Sequence, residues 1–414
     1  MKNLSFVKLG NLVKITGGGT PSRSVQEYWG GDIPWVTVKD FISKRIVTAQ
    51  EHITAIGLKS SSSNLIPANS ILMPTRMALG KIAVNESSVA INQDIKALEI
   101  LDKKRVLSDY LVSFLSTISD VFIKEGKGAT VKGIKLDFLK DIRIPLPPLD
   151  DQIRIATILT RAENLITKRK ESIKALDELL KSTFLEMFGP ANKDFAAWPL
   201  TEIKELAAHH KGAMRTGPFG SNLLHGEFTL SGDVAVLGID NAVQNKFAWD
   251  QRRYITMEKY NELSSYRIFP GDVIITIMGT IGRAAVIPDD IPLAINTKHL
   301  AAITVDRKKA NPVFLAYSIH SSPFIHKQFA SKNRGAIMNG LNLGLIKETI
   351  IRKPPIELQN QFAAIVEKVE SIKSKYTQSL AELENLYGSL SQRAFKGELD
   401  VSKVPVDVHS MERT

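Results

Sequence analysis

Two spacings of apolar residues alternate along the chain. In the first ninety residues they cluster at strand length: Val7 to Val13, Ile33 to Val38, Ile66 to Met73, Leu79 to Val84 and Ala90 to Asp94. Between them stand turn-forming runs such as Gly17 to Arg23 and Gly30-Gly31-Asp32, so this part reads as short strands joined by tight turns. A short helix is expected over Ser108 to Ile118, then a basic, glycine-bearing loop over Lys124 to Lys135. After Pro147-Pro148 the period changes. Ile158, Ala162, Leu165, Ile173, Leu176 and Leu180 recur at three and four residues or their sums, which predicts a long amphipathic helix.

The same order then returns. Phe269 to Thr276, Ile281 to Val286 and Ala294 to Thr297 repeat the strand blocks, Pro312 to Ile319 repeats the short helix with Asn311 as its cap, and Lys327 to Asn342 repeats the basic loop. A proline suits the first position of a helix because its missing N–H has no partner there anyway. From Gly126 to Phe188 the chain superposes on itself without a gap at an offset of 207 residues, aligning Pro147 with Pro354, Gln152 with Gln359 and Phe188 with Phe395. In the second copy Leu358, Phe362, Ile365, Val369, Ile372, Tyr376, Ser379, Leu383, Leu386 and Leu390 alternate four and three, the spacing of a coiled-coil seam. Each helix is expected to be about 37 residues long, or about 55 Å. Alone it would expose a long apolar stripe, so the two are expected to pair. The order domain, helix, domain, helix favours antiparallel pairing about a pseudo-twofold axis. The expected fold is α+β: two α/β domains joined by two long antiparallel coiled-coil helices. The boundaries are 1–145, 146–190 for the central helix, 191–350, 351–400 for the distal helix, and 401–414 as a flexible tail.

Charge adds a direction. The 414 residues carry 54 Lys+Arg against 43 Asp+Glu, a formal net charge of +11. Residues 1–150 hold 20 against 14 and residues 201–350 hold 17 against 13, whereas 151–200 (8 against 7) and 351–414 (9 against 9) are nearly balanced. The excess therefore sits on the globular parts, where a basic surface favours a polyanion. There is no cysteine, which excludes disulfides, thiolate metal sites and cysteine nucleophiles and fits a reducing compartment. No window is long and apolar enough for a membrane helix and the first ten residues lack a signal-peptide core; a cytoplasmic protein is expected.

Motifs that could suggest an enzyme have simpler explanations. Asn311-Pro312-Val313-Phe314 has the outline of an amino-methyltransferase motif but lacks its second proline and opens a helix. Pro288-Asp289-Asp290 with Lys298 has the outline of a nuclease core, yet Asn296 stands where an acid is required. Gly17-Gly18-Gly19 and Gly279-Thr280-Ile281-Gly282 lack the Gly-Lys-Ser/Thr of a phosphate loop. His209-His210 has no ligand partner at helical spacing.

With the repeat laid out, the chain resembles the specificity subunit of type I restriction-modification systems. Gly18 to Arg23 with Gly31 to Val36 looks like the start of that family's first target recognition domain, and Leu146 to Gln152 followed by Leu180 to Gly189 looks like its central conserved region. Phe269 to Val273 with Gly279 to Arg283 looks like the second recognition domain, and Ser389 to Leu399 like the distal conserved region. The resemblance implies a DNA-binding subunit with no catalytic site and no cofactor of its own. Each recognition domain would bind one half of a bipartite, asymmetric site in double-stranded DNA. The helices would set the spacer and dock two methyltransferase subunits carrying S-adenosylmethionine. Restriction subunits would bring ATP-driven cleavage. A coiled-coil scaffold with two domains for something other than nucleic acid, or a stand-alone DNA-binding protein, are the alternatives.

For DNA contact the candidates are Arg23, Lys39, Arg76, Lys81, Lys127 and Lys132 in the first domain, and Arg215, Arg283, Lys298, Lys332, Arg334 and Asn339 in the second. All are expected in loops or at strand ends. Arg and Asn reach base edges with two hydrogen bonds; Lys mostly touches phosphate.

Overall fold

Runs of β-branched and aliphatic residues three to eight long, cut by Gly, Asn and Pro, cannot bury themselves as single strands and pair into small sheets. In the computed structural model, which describes residues 4–126, 133–249, 251–332 and 340–405, the chain forms two compact units, Met1–Glu171 with Gln378–Thr414, and Ser172–Thr377. The units cut across the expected boundaries, because each takes half of each long helix.

The first unit holds a sheet in the order Val13–Gly17, Ile95–Ile100, Ile71–Pro74, Ala83–Asn85, Arg45–Ile46. A second sheet has the order Glu51–Ile53, Trp29–Val36, Val89–Ile91, Leu65–Ile66. The second unit repeats both. Met214–Thr216, Leu300–Ile303, Val273–Thr276 and Ala284–Val286 form one sheet; Tyr254–Ile255, Val234–Leu237, Ala294–Asn296 and Arg267–Ile268 form the other. Arg45–Ile46 is the one strand without a counterpart among the described residues. In each unit the second sheet contains one parallel strand pair, with Trp35 opposite Ala90 in one and Ala235 opposite Ala294 in the other; the first unit has a further parallel pair in its other sheet, Arg45 opposite Val84.

The expected strand over Val7 to Val13 is two strands, Ser5–Lys8 and Val13–Gly17, because the chain turns at Leu9–Asn11. The short helices run Ser108–Thr117 and Pro312–Ser321, the second capped by the Asn311 side chain accepting from the Val313 N–H. The long helices run Leu149–Phe188 and Ile356–Phe395, 40 residues each, and both ends keep the 207-residue offset. Within the first unit Lys170 pairs with Glu384 at 2.8 Å and the Tyr387 hydroxyl donates to Glu163 at 2.6 Å. Within the second, Lys373 pairs with Asp177, and the Phe184 and Phe362 rings lie 5.5 Å apart. In both units rising numbers on one helix meet falling numbers on the other, so the segments pair antiparallel.

The central helix keeps the expected seam except at Leu165, whereas the distal helix departs from it at alternate positions. Ala162, Ile166, Ile173, Leu176 and Leu180 turn inward on the central helix, and Val369, Tyr376, Leu380, Leu383 and Tyr387 on the distal helix. Leu165, Ile372 and Leu386, expected in the seam, are exposed.

One repeated pair of residues joins helix to sheet domain. Gln152 is fully buried; its amide donates to the Arg105 and Pro147 carbonyls and its oxygen accepts from the Leu107 N–H. Gln359, also fully buried, donates to the Pro354 carbonyl and accepts from the Asn311 N–H. Each glutamine satisfies backbone groups at the start of a short helix that would otherwise be buried unpaired. Nor is the start of the tail free: Val401 is buried against the first unit's core and the Val404 carbonyl accepts from Arg154 Nε at 3.1 Å. Residues 406–414 lie outside the described residues.

Candidate nucleic-acid interface

The C-terminal edge of the parallel strand pair gathers loops from three parts of each unit. In the first unit Trp29–Val36 runs into Thr37, whose N–H donates to Asp40 at 2.7 Å. That turn leaves Lys39 exposed. Beside it, Val89–Ile91 runs into Asn92 and Gln93, and the Asn92 N–H donates to the Val36 carbonyl at 3.1 Å. Gly17 to Arg23 lies over this edge. The Gly19 N–H donates to the Ile91 carbonyl at 3.0 Å, and the Gly19 carbonyl accepts from Trp35 Nε1 at 3.0 Å and Ser63 Oγ at 2.7 Å. A Cβ on Gly18 would lie 2.0 Å from the Ile91 oxygen. The triple glycine therefore serves close backbone approach.

The loop delivers Arg23 to a fixed place. Its guanidinium lies 3.7 Å over the Trp29 ring and 5.1 Å from Trp35, and its two terminal nitrogens donate to the two Glu51 oxygens at 2.5 and 2.8 Å. The hydrogen bond from Arg23 holds the Glu51 carboxyl below its ordinary range, with Lys39 adding a smaller pull in the same direction. Stacking and a bidentate carboxylate set the plane of the guanidinium, and its remaining N–H groups are still available.

The second unit uses the same scaffold with the charges rearranged. Val234–Leu237 runs into Gly238, whose N–H donates to Asn241 at 2.8 Å, and the Thr297 N–H donates to the Leu237 carbonyl at 2.9 Å. A Cβ on Gly217 would lie 2.1 Å from the Asn296 oxygen, so this loop approaches its edge as Gly18 does. Where the first unit has Lys39 in the turn, the second has Asp240, paired with Arg253 just before the neighbouring strand Tyr254–Ile255. Lys298 is exposed on the same edge. Burial, then the charge of Lys298, holds the His299 imidazole below its ordinary pKa.

The other candidates separate. Arg76 is exposed, 4.0 Å from Asp94. Lys81 is exposed, but its ammonium donates to the Phe41 carbonyl at 2.9 Å, so its charge is turned to holding a loop. Arg283 is exposed after the Gly279 to Gly282 turn. Arg215 is not a surface residue: it is 7% exposed, paired with Asp272, and donates to the Arg267 carbonyl at 2.8 Å and the Gly212 carbonyl at 3.1 Å. Contrary to the expectation of a loop or strand-end contact, Arg215 is held inside the unit. Lys127, Lys132, Arg334 and Asn339 lie outside the described residues, as does the Lys332 side chain. Asn296, weighed as part of a nuclease core, is buried and donates to the Leu300 carbonyl at 2.8 Å. His209 lies 2.8 Å from Lys309. Among the described residues no three His, Asp or Glu form a group that could hold a metal ion.

Sequence reading missed Trp29, Trp35, Glu51, Asp240 and Arg253. Trp29 and Trp35 did carry a signal, since two tryptophans beside an arginine-bearing glycine loop fit a stacking platform.

Comparison with known proteins places this architecture. The family model for the type I restriction modification DNA specificity domain matches residues 1–175 and 198–385. The MjaIX type I restriction enzyme specificity subunit of Methanocaldococcus jannaschii is 30% identical over 203 residues, 47% of this chain and 46% of that protein. The EcoR124I/EcoR124II specificity subunit of Escherichia coli is 31% identical over 183 residues, 42% and 45% of the two chains. The chain thus spans about half the length of these two relatives; the match to the MjaVIII specificity subunit of M. jannaschii, at 21% identity, covers 88% and 85%. Among solved structures, the S subunit of a type I restriction-modification system from M. genitalium superposes with a TM-score of 0.56 at 14% identity, covering 95% of this chain and 97% of that one. A chain from a structure of type I restriction-modification complex assembly and conformational transition gives 0.60 at 15%, covering 96% and 99%. Both likenesses concern the fold. With two family-model matches, one on each repeat, the chain belongs to the type I restriction modification DNA specificity domain family.

Proposed function

We propose that this chain is the DNA-reading subunit of a type I restriction-modification complex and carries no chemistry itself. Each unit binds one half of a bipartite, asymmetric site. The paired helices set the spacer and dock two methyltransferase subunits, which bind S-adenosylmethionine; restriction subunits bring ATP hydrolysis and cleavage. The complex works in the cytoplasm.

The observation that carries this reading is the rearranged edge. Two copies of one scaffold, alike in every strand but Arg45–Ile46, present Arg23, Lys39 and Glu51 in one and Asp240, Arg253 and Lys298 in the other. Copies that read different half-sites need a shared framework and different hydrogen-bonding groups at the reading edge. The Arg23 stack on Trp29 supports base-edge or phosphate recognition, and the basic surplus on both globular parts supports DNA over a protein ligand.

The test is methyl transfer to DNA by the methyltransferase subunits with and without this chain, with the modified sites sequenced. Site-specific modification only with the chain present is expected, and transplanting residues 195–350 from a relative should change one half-site. Methylation by the chain alone, or loss of both half-sites on transplantation, would overturn the reading.

A further inference from the structure

The second unit contains a cavity of about 470 Å³ that the first does not reproduce chemically. Helix residues Asp177, Lys181, Glu370 and Lys373 line one side; the loop Gln244 to Lys246, the turn residue Arg283, and Tyr317, His320 and Ser321 of a short helix line the rest. Two of its cations are already matched, Lys246 with Glu370 and Lys373 with Asp177. Lys181 and Arg283 have no ion pair or hydrogen-bonded side-chain partner among the described residues, which leaves the lining with two positive charges uncompensated. Two polar atoms in the wall also lack partners: His320 Nε2 and Asn245 Oδ1 are buried and make no hydrogen bond. His320 Nδ1 is taken by Ser321 Oγ at 2.8 Å. Buried polar atoms without partners cost free energy; the Asn245 oxygen can only accept and offers an anion nothing, but the His320 Nε2 can donate, and with the surplus cations beside it describes a place for an anion.

The first unit shows that the scaffold does not need these features. The 207-residue offset puts Gly388 where Lys181 stands. Lys81, the counterpart of Arg283 in the repeated Gly-Lys/Arg turn, is tied to the Phe41 carbonyl. Ser116 takes the place of His320, each standing one residue before the last of its helix, Ser108–Thr117 or Pro312–Ser321, and Ser113 takes the place of Tyr317. The loop-to-helix ion pair is common to both copies, as Lys44 with Glu163 and Lys246 with Glu370. What is peculiar to the second copy is the pair of free cations and the unpartnered imidazole.

We propose that this cavity binds a phosphate group, held by Lys181 and Arg283 with His320 Nε2 as a hydrogen-bonding partner. The phosphate belongs either to the DNA backbone or to a free phosphate-bearing metabolite; only the first alternative rests on the DNA-reading function.

Two titrations on the full chain separate these cases. In the first, inorganic pyrophosphate is titrated by calorimetry into the wild type, Lys181→Gln, Arg283→Gln and the first-unit control Lys81→Gln. Binding by the wild type, about tenfold weaker in each of the two cavity variants and unchanged in Lys81→Gln, is expected, since a hydrogen bond to a charged group contributes at that level. The ring nitrogens of His320, followed by NMR, should shift on titration. In the second, affinity for duplex DNA is measured against salt. If the phosphate is the backbone's, each cavity variant lowers the dependence of log affinity on log salt by about one phosphate contact and pyrophosphate competes with DNA. If it is a metabolite's, pyrophosphate binding weakens while DNA affinity and salt slope stay at wild-type values. Variants indistinguishable from wild type in both titrations would overturn the site. A wild type that binds pyrophosphate as described but no DNA would fail the proposed function and leave the site standing.

Discussion

Before the strand Ile71–Pro74 the first unit turns through Asn69 and Ser70; before the matching strand Val273–Thr276 the second turns through Gly271 and Asp272. Ser70 closes its turn by donating to the Pro67 carbonyl at 2.8 Å. Asp272, 1% exposed, accepts from the Phe269 N–H at 2.9 Å, from Thr304 Oγ1 at 2.7 Å and from Arg215. Opposite it, Thr16 faces Ala97 where Arg215 faces Ala302. One sheet therefore closes with hydroxyls, Thr16 donating to the partly exposed Glu99 at 2.9 Å, and its copy with a buried, hydrogen-bonded ion pair. The fold does not require the pair. Once present, though, neither charge can be removed alone, because the survivor has no water to replace its partner.

That contrast gives the largest expected effect. Asp272→Ala should destabilise the second unit by about 3–5 kcal/mol, whereas Ser70→Ala should cost the first no more than about 1 kcal/mol. Hydrogen exchange read separately on Val273–Thr276 and Ile71–Pro74 distinguishes them; equal losses would mean that the ion pair is not the difference. Replacing both charges by apolar residues, Arg215→Met with Asp272→Leu, should recover most of the loss.

Acid should separate the copies next. Burial pushes the His320 imidazole from 6.5 down to about 4, and the first unit has Ser116 there. Between those values the unfolded chain binds a proton that the folded unit refuses, so stability rises with pH across this window and falls on acidification. A gap of that size corresponds to about 3 kcal/mol at most. Exchange protection of Pro312–Ser321 should fall between pH 6.5 and 4 more than that of Ser108–Thr117, and His320→Gln should remove the excess.

Where the copies agree, so should their variants. Gln152→Leu and Gln359→Leu each strand buried backbone groups and should cost about 2–3 kcal/mol apiece, matching within about 1 kcal/mol. A large inequality would show that the repeat is equivalent in sequence but not in energy. Smallest are Lys44→Ala and Lys246→Ala, half-exposed partners of Glu163 and Glu370, each expected below about 1 kcal/mol and weaker still in high salt.

What was legible in the sequence was whatever repeats. The 207-residue offset, the two glutamines and the proline stops show the double architecture because both copies kept them for packing. The phase of the seam was harder to read. Apolar residues stand side by side at Leu165-Ile166, Leu179-Leu180 and Leu386-Tyr387, so a heptad count fits either member, and packing chose the second of each. Arg215 was misread because an isolated arginine at a strand end looks like a surface charge until its acid, 57 residues on, is brought beside it. The carboxylates of the candidate interface escaped for a similar reason: Glu51 and Asp240 act through arginines that the fold delivers from elsewhere.

The unequal division of the chain also orders its manufacture. The second unit is one uninterrupted stretch, Ser172–Thr377, while the first is assembled from Met1–Glu171 and Gln378–Thr414. Phe395 packs its ring on Tyr110 and Phe114 at 5.6 and 5.1 Å, and Ala394, Leu399 and Val401 fill the same core. On the ribosome, the half made first thus waits with an open core for residues translated after the whole of the second, and the unit begun first is the one completed last.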